Sequence, residues 1–177
     1  MDEEYLEIVD ENNNLTGERK PRSLVHSNGL WHRVVHIYFF RIINKEIEIL
    51  VQLRSKTKDL SPNMWDTRFG GHIKAGEKLE QAVVDEIREE VGLNVNVRDL
   101  VEGEWRKQEK YPNNEFAKVY YLEVKDDLKK LKFDDGEVQK VKWMSFSNIK
   151  QLMDEKPKEW CGKSNNFAAI IRYLKFK

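Results

Sequence analysis

One segment constrains the fold more than any other. Gly70-Gly71-His72-Ile73-Lys74-Ala75-Gly76-Glu77 leads directly into a run from Lys78 to Val91 in which apolar and acidic residues recur at helical spacing. At about 100° per residue, Val83, Val84, Ile87 and Val91 share one face of a helix, and Glu86, Glu89 and Glu90 share a neighbouring face. The apolar face needs a surface to cover. The acidic face needs a cation, because carboxylates three and four positions apart repel one another on a helix. Mg²⁺ is a hard ion that takes a few carboxylates together with substrate phosphates. Between Glu77 and Gly92 six acidic residues face only Lys78 and Arg88, so an anionic phosphate approaches this surface only with a metal. Glycines at 70 and 71 let the backbone come close to a ligand or turn a carbonyl toward it.

The rest of the chain supplies a sheet for that helix. Tyr5–Asp10 alternates like a short strand, and Asn12-Asn13-Asn14 with Thr16-Gly17 reads as turn chemistry. Val34–Ile43 and Ile47–Leu53 read as the two largely buried strands of a hairpin, with Asn44-Lys45-Glu46 between them. Ala117–Val124 and Val138–Phe146 read as further strands, and the polar segment from Trp105 to Glu115 as a loop. A second helix is predicted from an N-cap at Ser147 to Asp154, and a third from Asn166 to Leu174. With no repeat and no linker, the 177 residues are read as one domain, 1–177, of α+β class: a mixed sheet with helices on both faces.

Charge narrows the partners. Thirty-one basic residues balance 31 acidic ones, so no global field favours a nucleic acid polymer or a membrane. The single cysteine, Cys161, cannot form an intramolecular disulfide, and a reducing compartment fits it. The acidic start is no signal peptide, and no apolar run reaches the ~18 residues needed to span a bilayer. The expectation is a cytoplasmic protein acting on a small molecule, with a homodimer left open.

The Gly70–Leu93 stretch resembles the Nudix box, Gly-x5-Glu-x7-Arg-Glu-U-x-Glu-Glu-x-Gly-U, where U is bulky and aliphatic. Gly71, Glu77, Glu86, Ile87, Glu89, Glu90, Gly92 and Leu93 stand at its offsets. The resemblance implies a Nudix-type α/β/α sandwich and hydrolysis of a phosphoanhydride in a nucleoside diphosphate-X or related small diphosphate. It implies Mg²⁺, with Mn²⁺ as a substitute, on Glu86, Glu89, Glu90 and the Gly70 carbonyl, and a supporting role for Glu77. One position departs: the box arginine, which usually orients the glutamates, is Asp85 here. An ionised aspartate cannot donate a hydrogen bond. Arg88, at i+3, is expected to pair with Asp85 rather than to replace the missing group. Lys78 stands where many relatives start the helix with Ser or Thr, which predicts a weaker cap.

The resemblance extends over roughly residues 4–150 to the isopentenyl-diphosphate-isomerase-like branch of the same superfamily. It rests on Ile8-Val9-Asp10-Glu11-Asn12, Thr16-Gly17, His32-Arg33, Gln52-Leu53-Arg54-Ser55, Trp65-Asp66-Thr67 and Asp135-Gly136-Glu137-Val138. His26, His32, His72 and Glu115 resemble isomerase metal-site residues, although the carboxylate expected two residues before Glu115 is Asn113. The isomerase cysteine is Gly70 in this chain, and Cys161 does not match it. The hydrolase reading is therefore preferred, with an isomerase or a non-catalytic nucleotide-binding module as alternatives. In that reading Glu89, Glu86 and Glu137 are the candidate catalytic groups, and Glu89 or Glu137 accepts the proton of the attacking water. Arg54, Arg68, Lys74, His32 and His72 are the candidate substrate-binding residues. His26, His32 and His72 are also candidates for a second metal site, whereas His36 is read as strand packing. Trp31, Trp65, Trp105 and Tyr111 are candidates for stacking on a base or an apolar tail.

Overall fold

The apolar run of the predicted hairpin is the axis of the structure. In the computed structural model, which describes residues 3–58, 60–125, 128–133 and 136–162, the elements follow in the order β1 (Tyr5–Val9), β2 (Leu15–Pro21), α1 (Arg22–Ser27), β3 (His32–Ile43), β4 (Glu46–Arg54), β5 (Trp65–Asp66), α2 (Leu79–Val91), β6 (Val101–Gln108), β7 (Glu115–Glu123), β8 (Val138–Ser145) and α3 (Phe146–Glu155). β3 pairs in parallel with β7 from His32↔Glu115 to Phe40↔Glu123. β7 carries β6 antiparallel on its far side. β4 pairs antiparallel with β8 from Glu48↔Ser145 to Arg54↔Val138. The sheet is therefore mixed, as expected.

Alternation along β3 separates two cores. Val35, Ile37 and Phe39 point to the face covered by Val83, Ile87 and Val91 of α2. Tyr38 and Phe40 point to the face covered by Ile149 and Met153 of α3. A helix thus covers each side of the sheet, giving the α/β/α layering.

One feature of this sheet positions the site. β3 and β4 share registered pairs only between residues 40–43 and 46–49. Beyond that they diverge, and the chain from Met64 to Ile73 fills the wedge. Arg54 N–H donates to the Met64 carbonyl, Phe69 and Ile37 exchange backbone hydrogen bonds of 2.8 and 3.0 Å, and Val35 N–H donates to the Gly71 carbonyl. The Gly70-Gly71 loop is thereby clamped into the sheet on the α2 face.

Several boundaries differ from the sequence reading. Thr16-Gly17 lies inside β2, which pairs with β1 from Tyr5↔Pro21 to Val9↔Leu15, and the turn is confined to the asparagines. There Asp10 Oδ1 accepts the amides of Asn12 and Asn14. Trp105–Gln108 is strand rather than loop: an edge strand, paired only with β7 among the described residues, whose charged side chains mask its periodicity. α3 starts two residues early, because Ser145 rather than Ser147 accepts the Asn148 amide. α1 and β5 are too short for periodicity to reveal. The helix expected over 166–174 lies outside the described residues, as does Asp135. No helix among the described residues is long and apolar enough to cross a membrane.

Candidate functional site

α2 brings its three glutamates to the clamped glycine loop. The helix begins without a side-chain cap at Lys78 and ends on Gly92, whose φ of +71° gives the left-handed turn favoured at helix C-termini. Burial of Ile87 and Val91 fixes the rotation of the helix. Glu86 and Glu90 then turn toward the loop. An ideal Cβ on Gly71 would lie 2.5 Å from Glu86 Oε1, so any side chain there would displace the carboxylate. Gly70 N–H donates to Glu90 Oε1 at 3.4 Å, and Glu90 is buried, at 7% exposure. Gly70 itself has φ +120°, and a Cβ there would meet the Val35 carbonyl oxygen at 2.2 Å. The wedge geometry thus demands glycine at 70, where a cysteine would collide with main chain, whereas a side chain at 71 would push the Glu86 carboxylate aside.

Electrostatics set Glu86 apart from an ordinary surface carboxylate. Burial, then repulsion from Glu90 and Glu89, pushes its carboxyl up to about 8, against a smaller opposing pull from Lys74. A nearby hard cation would favour the charged form of such a carboxylate and draw its pKa back down. Glu77 closes the loop: its Oε2 accepts the Lys74 amide at 2.9 Å, which fits the supporting role expected of it. Asp85 stands apart, held by Gln81 Nε2 at 2.7 Å and Arg88 Nη2 at 2.6 Å on the outer side of α2. The expected Asp85–Arg88 pair therefore forms.

These groups line a groove of about 880 Å³. Arg54, Lys74 and Glu137 line it too, along with Lys58, which the sequence reading did not single out. Lys58 and Glu137 form an ion pair across the groove wall. Arg68 is committed differently: its guanidinium bonds both oxygens of Asp66, at 3.0 and 3.1 Å, and the Cys161 carbonyl. It braces β5 against the segment after α3, and Arg54 is held in turn by the Leu60 carbonyl at 2.9 Å, which leaves Lys74 the freer cation. Cys161 is buried, and burial pushes its thiol up to about 11.

At one end of the groove a second cluster forms from three separate elements: His26 of α1, His32 of β3 and His72 of the loop. One nitrogen from each ring lies within 4.8 Å of the other two. His26 Nε2 and His72 Nε2 share a hydrogen bond of 3.1 Å. His32 is fully buried, and its Nδ1 faces the Leu30 carbonyl at 3.0 Å. Nδ1 is therefore the protonated nitrogen. Nε2, which has no hydrogen-bond partner among the described residues, turns its lone pair into the cluster. Burial holds His32 neutral, lowering it to about 4, and depresses His72 further still. The Glu115 carboxylate lies 3.9 Å from His32 Nε2. Three converging imidazoles, His32 buried and His26 and His72 half-buried, with a carboxylate beside them suit a divalent transition ion.

His36 is half-buried on the α3 side, and desolvation, then Arg68 and Arg106, keep it neutral. Three of the candidate stacking rings are already covered by cations: Lys107 lies over Trp31, Lys142 over Trp65 and Arg33 over Trp105. Tyr111 remains 73% exposed at the groove rim. Sequence reasoning also missed Glu4 and Arg22, which line the groove where β1 and α1 meet the loop. No spacing rule connects position 4 to positions 72 and 86. Only the Leu6↔Lys74 bridge brings them together.

Comparison with known proteins follows the same lines. A sequence model of the NUDIX domain matches residues 32–161. A protein of Clostridium acetobutylicum described as an uncharacterized Nudix hydrolase is 32% identical over 88% of this chain and 77% of its own length. The isopentenyl-diphosphate Δ-isomerase of Citrobacter koseri is 26% identical over 89% of this chain and 86% of that protein. Among solved structures, a protein of Deinococcus radiodurans superposes with a TM-score of 0.68 at 24% identity, covering 96% of this chain and 98% of the other.

Proposed function

This chain belongs to the Nudix family, and we propose that it is a metal-dependent hydrolase that cleaves a phosphoanhydride bond in a small diphosphate-containing substrate. The observation that carries the reading is the glutamate cluster against the glycine loop. Three carboxylates converge where Gly71 leaves room for one of them, and their mutual repulsion, together with burial, makes Glu86 hard to ionise without a cation.

Mg²⁺ or Mn²⁺ would be held by Glu86, Glu90 and Glu89 with the Gly70 carbonyl. Bound there, it would neutralise phosphate charge and acidify a water. Arg54, Lys58 and Lys74 would bind phosphate oxygens as charge-assisted donors. Glu89, exposed at the groove beside Glu86 and Glu90, would accept the proton of the attacking water. Glu137 is the alternative base, but its ion pair with Lys58 lowers its availability.

Two further points favour hydrolysis over isomerisation. Position 70 has no room for the cysteine that isomerisation would use, and the only cysteine is a buried thiol of raised pKa. All the box glutamates that hydrolysis needs are present. The single cysteine fits a reducing compartment such as the cytoplasm.

The test is release of phosphate or nucleotide from a panel of nucleoside di- and triphosphates, nucleotide sugars, dinucleotides and isopentenyl diphosphate, with and without Mg²⁺. Metal-dependent release from any member supports the reading. No release from a folded protein that binds Mg²⁺ would overturn it in favour of a binding module, and double-bond migration without phosphate release would favour the isomerase.

A further inference from the structure

The histidine cluster leaves one matter open: what sets the orientation and tautomer of His72. His32 is fixed by the Leu30 carbonyl. His72 has no backbone acceptor of that kind. Its Nδ1 instead faces Glu4 Oε2 at 3.8 Å, and the same oxygen lies 3.6 Å from Arg22 Nε. The Glu4 main chain is pinned, because Arg22 N–H donates to its carbonyl at 2.8 Å and Ala75 N–H donates to the carbonyl of neighbouring Tyr5 at 2.8 Å. The carboxylate itself makes no short contact with either neighbour. It is half-buried in the groove, close enough to Glu89 and Glu77 to feel their charge.

We propose that Glu4 is the positioning residue of the histidine cluster, a carboxylate that holds the proton of His72 on Nδ1 and so presents Nε2 as a lone pair toward a divalent transition ion. The proposal rests on the metal-centred reading of the groove, but it concerns the imidazole end and not the glutamates of α2.

The chain of protons is self-consistent. A carboxylate beside Nδ1 favours the tautomer with the hydrogen on that nitrogen. Nε2 of His72 then accepts, so His26 is the donor in the 3.1 Å contact between the two Nε2 atoms. Without metal, two of the three inward nitrogens, those of His32 and His72, are already free of hydrogen. Only the His26 proton must move when an ion enters. The gap of 3.8 Å exceeds a hydrogen bond, so the Glu4 side chain, 24% exposed, would have to rotate toward His72 to make one. Carboxylates behind ligating histidines raise ligand basicity, and their loss typically costs about 10–100-fold in metal affinity.

The experiment uses the full chain without substrate. Zn²⁺ is titrated calorimetrically into wild type and the Glu4→Gln, Glu4→Asp and Arg22→Gln variants. The tautomer of each histidine ring is read by long-range ¹H–¹⁵N correlation of ¹⁵N-histidine-labelled, metal-free protein. Glu4→Gln is expected to weaken Zn²⁺ binding about 10–100-fold and to shift His72 away from the Nδ1–H form, with the melting temperature unchanged. Glu4→Asp restores part of the affinity. Arg22→Gln removes the competing partner of the carboxylate and leaves affinity equal or higher, which a merely structural role for the Glu4–Arg22 pair would not produce. Wild-type Zn²⁺ affinity in Glu4→Gln, or an unchanged His72 tautomer, overturns the proposal. Zn²⁺ binding at three histidines in a protein that hydrolyses no diphosphate would overturn the proposed function and leave this inference standing.

Discussion

The glutamates of α2 and the histidines beside them are two clusters of potential metal ligands that burial treats in opposite ways. The glutamates are ligands in tension. Burial and mutual repulsion lift Glu86 to about 8, so the metal-free cluster resists its own charge. The histidines are at rest. The same burial lowers His32 to about 4 and removes charge from the cluster. A carboxylate must be charged to bind a metal, whereas an imidazole must be neutral. Burial therefore opposes metal-ready carboxylates and favours metal-ready imidazoles. A hard ion at the first cluster would relieve strain, while a softer ion at the second would meet imidazoles that burial already favours in the neutral form.

The sharpest way to break this contrast is Glu90→Gln. If the glutamates hold the catalytic metal, turnover falls by about 1000-fold, the several kcal/mol a metal contributes to transition-state charge, while the fold persists. Steady-state rates within tenfold of wild type would remove the assignment. The glycines give a second cut. Gly71→Ala places a methyl into the Glu86 carboxylate and should cost metal affinity and rate with little loss of stability. Gly70→Ala combines a positive φ with a main-chain collision and should cost roughly 1–3 kcal/mol or more of stability. Chemical denaturation and Mn²⁺ titration of both variants check this. Equal stability losses would mean that the loop is not clamped as described.

The two clusters were also unequally legible in the sequence. Glu86, Glu89 and Glu90 lie on one helix, so periodicity alone gathers them and also places Ile87 and Val91 beneath them. His26, His32 and His72 come from three elements, one of which, α1, spans only six residues. Their approach depends on β3 pairing with β7 and on the loop wedged against β3, which no local pattern encodes. Resemblance suggested the trio, and physics from the sequence could not. Glu4 was invisible for the same reason. β6 was misread because its pairing partner, and not its own side chains, makes it a strand. Lys58 was passed over because a lysine in a polar loop is ordinarily a solvated charge.

The opposite pKa shifts make a prediction about metal and pH. Glu86 has a raised folded pKa, so the stability it contributes is full below its unfolded value of 4.5 and is lost as pH rises toward about 8. His32 has a lowered folded pKa, so its contribution is full above 6.5 and is lost as pH falls toward about 4. In metal-free protein the two trends oppose each other between 4.5 and 6.5, and above 6.5 only the glutamate loss remains. Saturating Mg²⁺ removes that loss. The gain in melting temperature on adding Mg²⁺ should therefore be larger at pH 8.5 than at pH 5.5, and Glu86→Gln should raise the melting temperature of the metal-free protein at pH 8.5. A gain independent of pH would show that Glu86 is not strained.

Asp85→Arg tests the smallest difference, between this helix and the pattern it otherwise follows. Asp85 faces away from the groove, tied to Gln81 and to an Arg88 whose side chain is 53% exposed. Arg88 is the exposed partner and Asp85 is only 21% exposed, so losing the pair costs on the order of 1 kcal/mol. An arginine at 85 is long enough to reach back toward Glu86 or Glu89, where its donors would oppose the repulsion that now lifts Glu86. The expected outcome is tighter Mg²⁺ binding and a turnover several-fold higher, read from the Mg²⁺ dependence of the initial rate. If neither changes, the glutamates are already oriented by what surrounds them here: the Gly70 amide on Glu90, the shelf at Gly71 and the charge of Lys74. The loop would then have taken over the arginine's task.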